Sequence, residues 1–187
     1  MPLPVTPSQT VGPFYGYALP IPDGAHLVPP GTPGAITVHG RVFDGAGAPI
    51  PDALLEIWQP APDATRTGLP GSMRRDPVTG GYLGRNGVDF TGFGRVTTDA
   101  DGHYAWRTLP PGGVPYLSVI VFARGLLHHL HTRVYLPGAA DDALLASLEP
   151  ARRATLLAVP EREGVYGFDI RLQGNDEHEE TVFLVFD

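Results

Sequence analysis

The sequence predicts an all-β fold, a single β-sandwich domain behind a long arm rich in proline and glycine. Three observations carry that expectation. Apolar residues fall in many short runs. Glycine and proline, 24 and 21 of 187 residues, stand between those runs as turn punctuation. Only residues 141–157 have a helical pattern, a short segment that Pro150 interrupts. Many short strands joined by Gly-rich turns argue for two packed sheets.

Residues 1–34 are dense in proline and show no sustained periodicity. They read as an extended arm, ordered where it lies across another surface and expected to contact a partner subunit. Residues 35–187 then form the sandwich. Ile36, Val38 and Gly40 alternate with Thr37, His39 and Arg41, the period of a half-buried strand. Leu54–Trp58 is a second strand. Phe93–Thr98 and His103–Thr108 flank Asp99-Ala100-Asp101-Gly102, whose Asp-Gly is a hairpin signal. Leu117–Ala123 is almost wholly apolar and β-branched, as expected of a strand buried on both faces. Leu130–Leu136, Val165–Leu172 and Thr181–Phe186 complete the set. Residues 61–92 read as a long loop, of the length that often carries function.

Composition narrows the function classes. The net charge of −7 argues against nucleic acid or an anionic membrane surface as partner. It leaves room for a small anionic substrate held by one local arginine. Without cysteine there is no disulfide, thiolate zinc site or cysteine nucleophile, and a reducing cytoplasm suits the chain. The first residues show no signal peptide pattern, and no apolar run approaches the roughly 20 residues of a membrane helix.

Two clusters invite a metal reading. His129 and His131 share one strand face and could begin a metal site, or they are hydrogen-bonded polar residues near a strand end. The turn Asn175–Glu180 is acidic, and such turns are usually solvated. No nucleophile, phosphate-loop or dinucleotide motif occurs.

Several segments, in order, resemble the intradiol ring-cleaving dioxygenases. They are Thr6-Pro7-Ser8-Gln9-Thr10-Val11-Gly12-Pro13-Phe14, Leu55-Glu56-Ile57-Trp58-Gln59, Phe93-Gly94-Arg95 with Thr98–Gly102, and Tyr166–Gly174 followed by Glu179–Phe183. Phe122-Ala123-Arg124-Gly125, His129-Leu130-His131-Thr132-Arg133 and Tyr135 are similar to the α chains of the two-chain members. The resemblance implies an iron(III) centre, held by two Tyr and two His, that chelates the hydroxyls of protocatechuate (3,4-dihydroxybenzoate). O2 then inserts between the hydroxyl-bearing carbons and yields 3-carboxy-cis,cis-muconate.

This sequence departs from the ligand pattern. Where the family's His-x-His falls, it has Tyr116-Leu117-Ser118; Tyr82 lies near the first tyrosine position, and the second has no counterpart. The resemblance therefore implies a chain with no metal of its own, Fe(3+) being bound by a partner β subunit. It also implies that Thr10, Val11, Gly12, Pro13 and Phe14 line the pocket over that iron, and that Arg124 offers charge to the substrate carboxylate. His129 and His131 fall outside the iron position and become structural. Two other readings stay open at this point: a stand-alone iron enzyme using Tyr82 with remodelled ligands, and a transthyretin-like sandwich that only binds.

Overall fold

Alternate residues of the strands Ile36–Phe43, His103–Thr108 and Tyr116–Phe122 turn one face inward, and this sorts the chain into two facing sheets. The computed structural model describes residues 10, 12–65, 73–86 and 90–186. The first sheet holds β1 (Ile36–Phe43), β6 (His103–Thr108), β9 (Val159–Arg162), β10 (Val165–Gly167) and β11 (Ile170–Arg171). The second runs in the order β5 (Phe93–Thr97), β2 (Leu54–Trp58), β7 (Tyr116–Phe122), β8 (Leu130–Tyr135), all antiparallel. A ribbon of β3 (Met73–Arg75) and β4 (Tyr82–Arg85) stands apart. Three short helices, α1 (Tyr15–Ala18), α2 (Ala143–Ser147) and α3 (Pro150–Ala154), complete the described elements.

β1 is the hub of the first sheet. It pairs antiparallel with β6 and parallel with β10 and then β11, so that Val38 meets both Trp106 and Tyr166. Between the sheets lie Val38, Val42, Tyr104, Trp106 and Ile170 from one side and Leu55, Ile57, Leu117, Val119, Val121 and Val134 from the other. Gly40 is needed for this closure, because a Cβ there would stand 1.9 Å from the Phe168 carbonyl oxygen.

The structure corrects several sequence expectations. The Asp99–Gly102 turn does form, with the Asp99 carboxylate accepting the N–H groups of Asp101 and His103 at 2.9 Å each. It does not close a hairpin. β5 pairs with β2 and β6 with β1, so the turn carries the chain from one sheet to the other. Thr98 starts that divergence, its hydroxyl accepting from Ala53 N–H at 2.9 Å and donating to the Ile50 carbonyl at 2.7 Å.

β7 is buried on one face only. Leu117, Val119 and Val121 point into the core, while Tyr116, Ser118, Ile120 and Phe122 are half-buried on the outer face. Thr181–Phe186 is no ladder strand; a bridge from Leu184 to His131 and hydrogen bonds between Thr181 and Arg171 and between Val182 and both Thr132 and Thr155 tie it down. Pro150 splits the helical stretch as expected and becomes the first residue of α3.

Part of the N-terminal segment belongs to the sandwich. Leu27 and Val28 are buried, Leu27 within the main core, and Leu27 N–H donates to Arg107 C=O at 2.9 Å. Among the described residues no helix is long and apolar enough to cross a membrane.

Candidate functional site

Strand register creates the site. Leu54 of β2 stands opposite Phe122 of β7. Just beyond that pair, Asp52 lies in the turn before β2 and Arg124 in the turn after β7, and their side chains form an ion pair, Arg124 Nε to Asp52 Oδ2. The pair is open to solvent, with side-chain exposures of 63% for Arg124 and 33% for Asp52.

The arm is held against this strand end by Tyr15. Its ring is buried and stacks on Phe122 at 6.2 Å, and its hydroxyl donates to the Asp52 carbonyl at 2.8 Å. Burial, then the Asp52 charge, raise the Tyr15 phenol against the opposing influence of Arg124. Pro13, Tyr15, Gly16 and Tyr17 thereby form one wall of a cleft of about 430 Å³, facing Asp52, Thr97, Thr98 and Arg124.

Of the residues expected at a pocket, Pro13 and Arg124 line this cleft. Thr10 donates to the Leu126 carbonyl at 3.3 Å, two residues past Arg124. Gly12 has φ of +69°, a conformation that glycine adopts without strain, and its N–H reaches Thr10 Oγ1 at 3.4 Å. Pro13 lines the cleft, while Phe14 is 78% exposed and turns to solvent. Val11 lies outside the described residues. Asp52 and Tyr15 were missed in the sequence, although an acid two residues before a strand and an aromatic next to the arm motif were visible there.

The strand positions where the resemblance places an iron-binding histidine pair do not fit a metal. Ser118 faces Arg133 across the ladder, and the Arg133 guanidinium lies 3.9 Å over the Tyr116 ring. Arg133 in turn donates to Asp142 Oδ2 at 2.9 Å and to the Tyr135 hydroxyl at 3.3 Å, while Tyr135 donates to Asp142 Oδ2 at 2.9 Å. A fixed guanidinium beside a serine and a phenol repels an iron(III) ion and leaves it without an imidazole. Burial raises the Tyr135 hydroxyl to about 12, so it stays protonated at neutral pH. Tyr82 stands on the separate ribbon, its hydroxyl buried near Arg85.

His129 and His131 join an aromatic row on the outer face. Their rings meet edge-on at 4.8 Å, between Phe122 at 5.4 Å and Phe186 at 5.0 Å. Burial, then the neighbouring His129 and His128, lower the His131 imidazole below its ordinary value. The acidic turn is organised by Asn175, whose side-chain carbonyl accepts from the N–H groups of Glu177 and His178 at 3.0 and 2.9 Å. Among the described residues no three His, Asp or Glu side chains stand together as a metal site.

A family model described as Dioxygenase matches residues 11–119. A protocatechuate 3,4-dioxygenase alpha chain of Burkholderia cepacia is 39% identical over 96% of this chain and 96% of that protein. This chain belongs to the intradiol dioxygenases. Its relatives include a second alpha chain, from Pseudomonas putida, 34% identical over 98% of each chain. The Burkholderia cepacia beta chain of the same name is 31% identical over 75% of this chain and 65% of that protein. Among solved structures, the dioxygenase domain of a carbohydrate-binding fusion from Streptomyces sp. SirexAA-E is 28% identical, with a TM-score of 0.55 over 81% of this chain and 88% of that chain. An intradiol ring-cleavage dioxygenase from Tetranychus urticae shares the fold at 14% identity, with a TM-score of 0.54 over 81% and 88% of the two chains.

Proposed function

We propose that this chain is the α subunit of a protocatechuate 3,4-dioxygenase. It would complete an active site whose Fe(3+) is held by a β subunit, for cleavage of protocatechuate by O2 to 3-carboxy-cis,cis-muconate. The observation that carries the reading is the contrast along β7. Its first residues face a guanidinium where the metal would sit, and its far end presents Arg124 in an open cleft under the arm.

In this reading the chain binds and orients. Arg124 balances the substrate carboxylate, across the ring from the hydroxyls that the β subunit's metal chelates. Thr10, Val11, Gly12, Pro13 and Phe14 roof that pocket. Of the arm, residues 1–34, the outermost part crosses to β, since Tyr15, Leu27 and Val28 are held on this chain's own sandwich, residues 35–187. The exposed Phe14 and the 87% exposed Tyr17 then find cover in the complex. Tyr and Phe beside Arg are the composition of an interface centre. A cysteine-free chain of this kind suits a cytoplasmic catabolic enzyme.

Co-expression with a β chain tests this. The αβ complex is expected to be red-brown and active on protocatechuate, and the lone α chain colourless and inactive. Stoichiometric iron in the isolated chain, or full activity of β without it, would overturn the assignment.

A further inference from the structure

Asp52 is used in two directions at once. Its backbone carbonyl accepts the Tyr15 hydroxyl from the arm, and its carboxylate meets Arg124 at the end of β7. It therefore touches both walls of the cleft. The ion pair is too exposed to add much to stability, so its effect must lie elsewhere. A long, 63% exposed arginine would otherwise sample many rotamers.

The contact is made at Nε, the inner nitrogen of the guanidinium. A guanidinium offers five N–H bonds in a fixed fork, so an acid at the Nε side leaves the end formed by the two terminal nitrogens for a second carboxylate. Tyr15 fixes the Asp52 main chain, and the Leu54–Phe122 pair that ends the ladder brings the two adjoining turns, and so Asp52 and Arg124, side by side.

We propose that Asp52 is a positioning residue for the substrate carboxylate, holding Arg124 by its Nε side so that its outer edge faces the cleft. The proposal rests on the Arg124 role given under Proposed function. It also bears on specificity, because a guanidinium already paired with one acid has a single anionic seat left and favours a monoanion such as an aromatic carboxylate.

The test uses the assembled αβ enzyme with Asp52→Asn, which keeps the side chain's size and the backbone carbonyl that Tyr15 uses. The kcat/KM for protocatechuate, relative to that for catechol, is expected to fall three- to tenfold. The loss should lie in KM, with kcat within twofold and iron content per αβ unit unchanged. Asp52→Glu, which restores a carboxylate, should recover part of the ratio.

In a double-mutant cycle Asp52→Asn should add nothing to Arg124→Ala, because the residue acts only through that arginine. An unchanged or improved ratio in Asp52→Asn, or an equal loss for both substrates, overturns the proposal. If Arg124→Ala lowers the ratio and Asp52→Asn does not, Asp52 fails alone and the arginine keeps its role. If Arg124→Ala leaves the ratio unchanged, the carboxylate reading of Arg124 fails and Asp52 falls with it.

Discussion

An arginine stands near each end of β7, and the molecule treats the two in opposite ways. At the start of the strand, Arg133 from the neighbouring β8 is closed in, with side-chain exposures of 23% for it and 22% for Asp142. Its charge is consumed by Asp142, its plane by Tyr116 and one N–H by the Tyr135 hydroxyl. At the other end, Arg124 is open and paired through Nε in a cleft. The same residue type is a structural cation where its partners surround it and, in the role proposed above, a recognition group where one edge is left over. The groups that each arginine meets decide which.

The sharpest way to break this comparison is to remove each arginine in the αβ enzyme. For Arg124→Ala the KM for protocatechuate is expected to rise about tenfold to a hundredfold, from the roughly 1.5–3 kcal/mol of a hydrogen bond to a charged group. Catechol, without the carboxylate, should lose far less, and equal losses would make Arg124 a structural residue. The chain's own stability should change by less than about 1 kcal/mol, as for exposed ion pairs.

Arg133→Ala should show the reverse. Its loss leaves Asp142 without its cation and Tyr116 uncovered, and urea unfolding of the α chain should report a destabilisation of roughly 1.5–3 kcal/mol. The substrate preference of the assembled enzyme should stay as it was; a protocatechuate-specific loss would join the two ends functionally.

Tyr15→Phe removes only the hydroxyl that reaches the Asp52 carbonyl, and should cost about 1 kcal/mol in the same unfolding assay. If Tyr15→Phe matches wild type, the arm is held by ring stacking alone.

The smallest effect concerns pH. Burial works to raise the Asp142 carboxyl, but the Leu145 N–H, the Tyr135 hydroxyl and Arg133 together outweigh it and hold the group below its ordinary value. A depressed acid stabilises the fold above its unfolded pKa and loses that contribution as pH falls through the folded one. The stability gap between wild type and Asp142→Asn should thus be full at neutral pH and close below the usual carboxylate range. A gap that widens on acidification would reverse the sign and the assignment.

Much of the fold was legible because it follows from local pattern. Leu54–Trp58 and His103–Thr108 have the bounds expected of them, since alternation and flanking turns define a strand without reference to its partners. What failed depended on distant partners. The Asp-Gly turn specifies a reversal, yet the Thr98 hydroxyl bonds to Ile50 and Ala53 send the two strands to different sheets. The outer face of β7 read as core because Ile120 and Phe122 are apolar, though a surface that another chain covers has the same composition. At the candidate site, Arg124 and the arm enter through the resemblance alone. Asp52 and Tyr15 do not, because their roles come from turn-to-turn and arm-to-sheet contacts that no local spacing encodes.

The hub position of β1 has a consequence for the order in which the chain matures. One of its edges is closed early, by β6. The other waits for β10 and β11, close to the last residues of the sequence. During synthesis, the N-terminal half leaves the ribosome with β1 still offering an open edge and the Gly40 backbone bare, since the Phe168 carbonyl that packs there comes late. Parallel pairings between distant residues are also slow to form. The nascent chain therefore has a long interval in which that edge is a template for wrong pairing, and its yield in a cell should depend on chaperone supply more than on the stability of the finished protein.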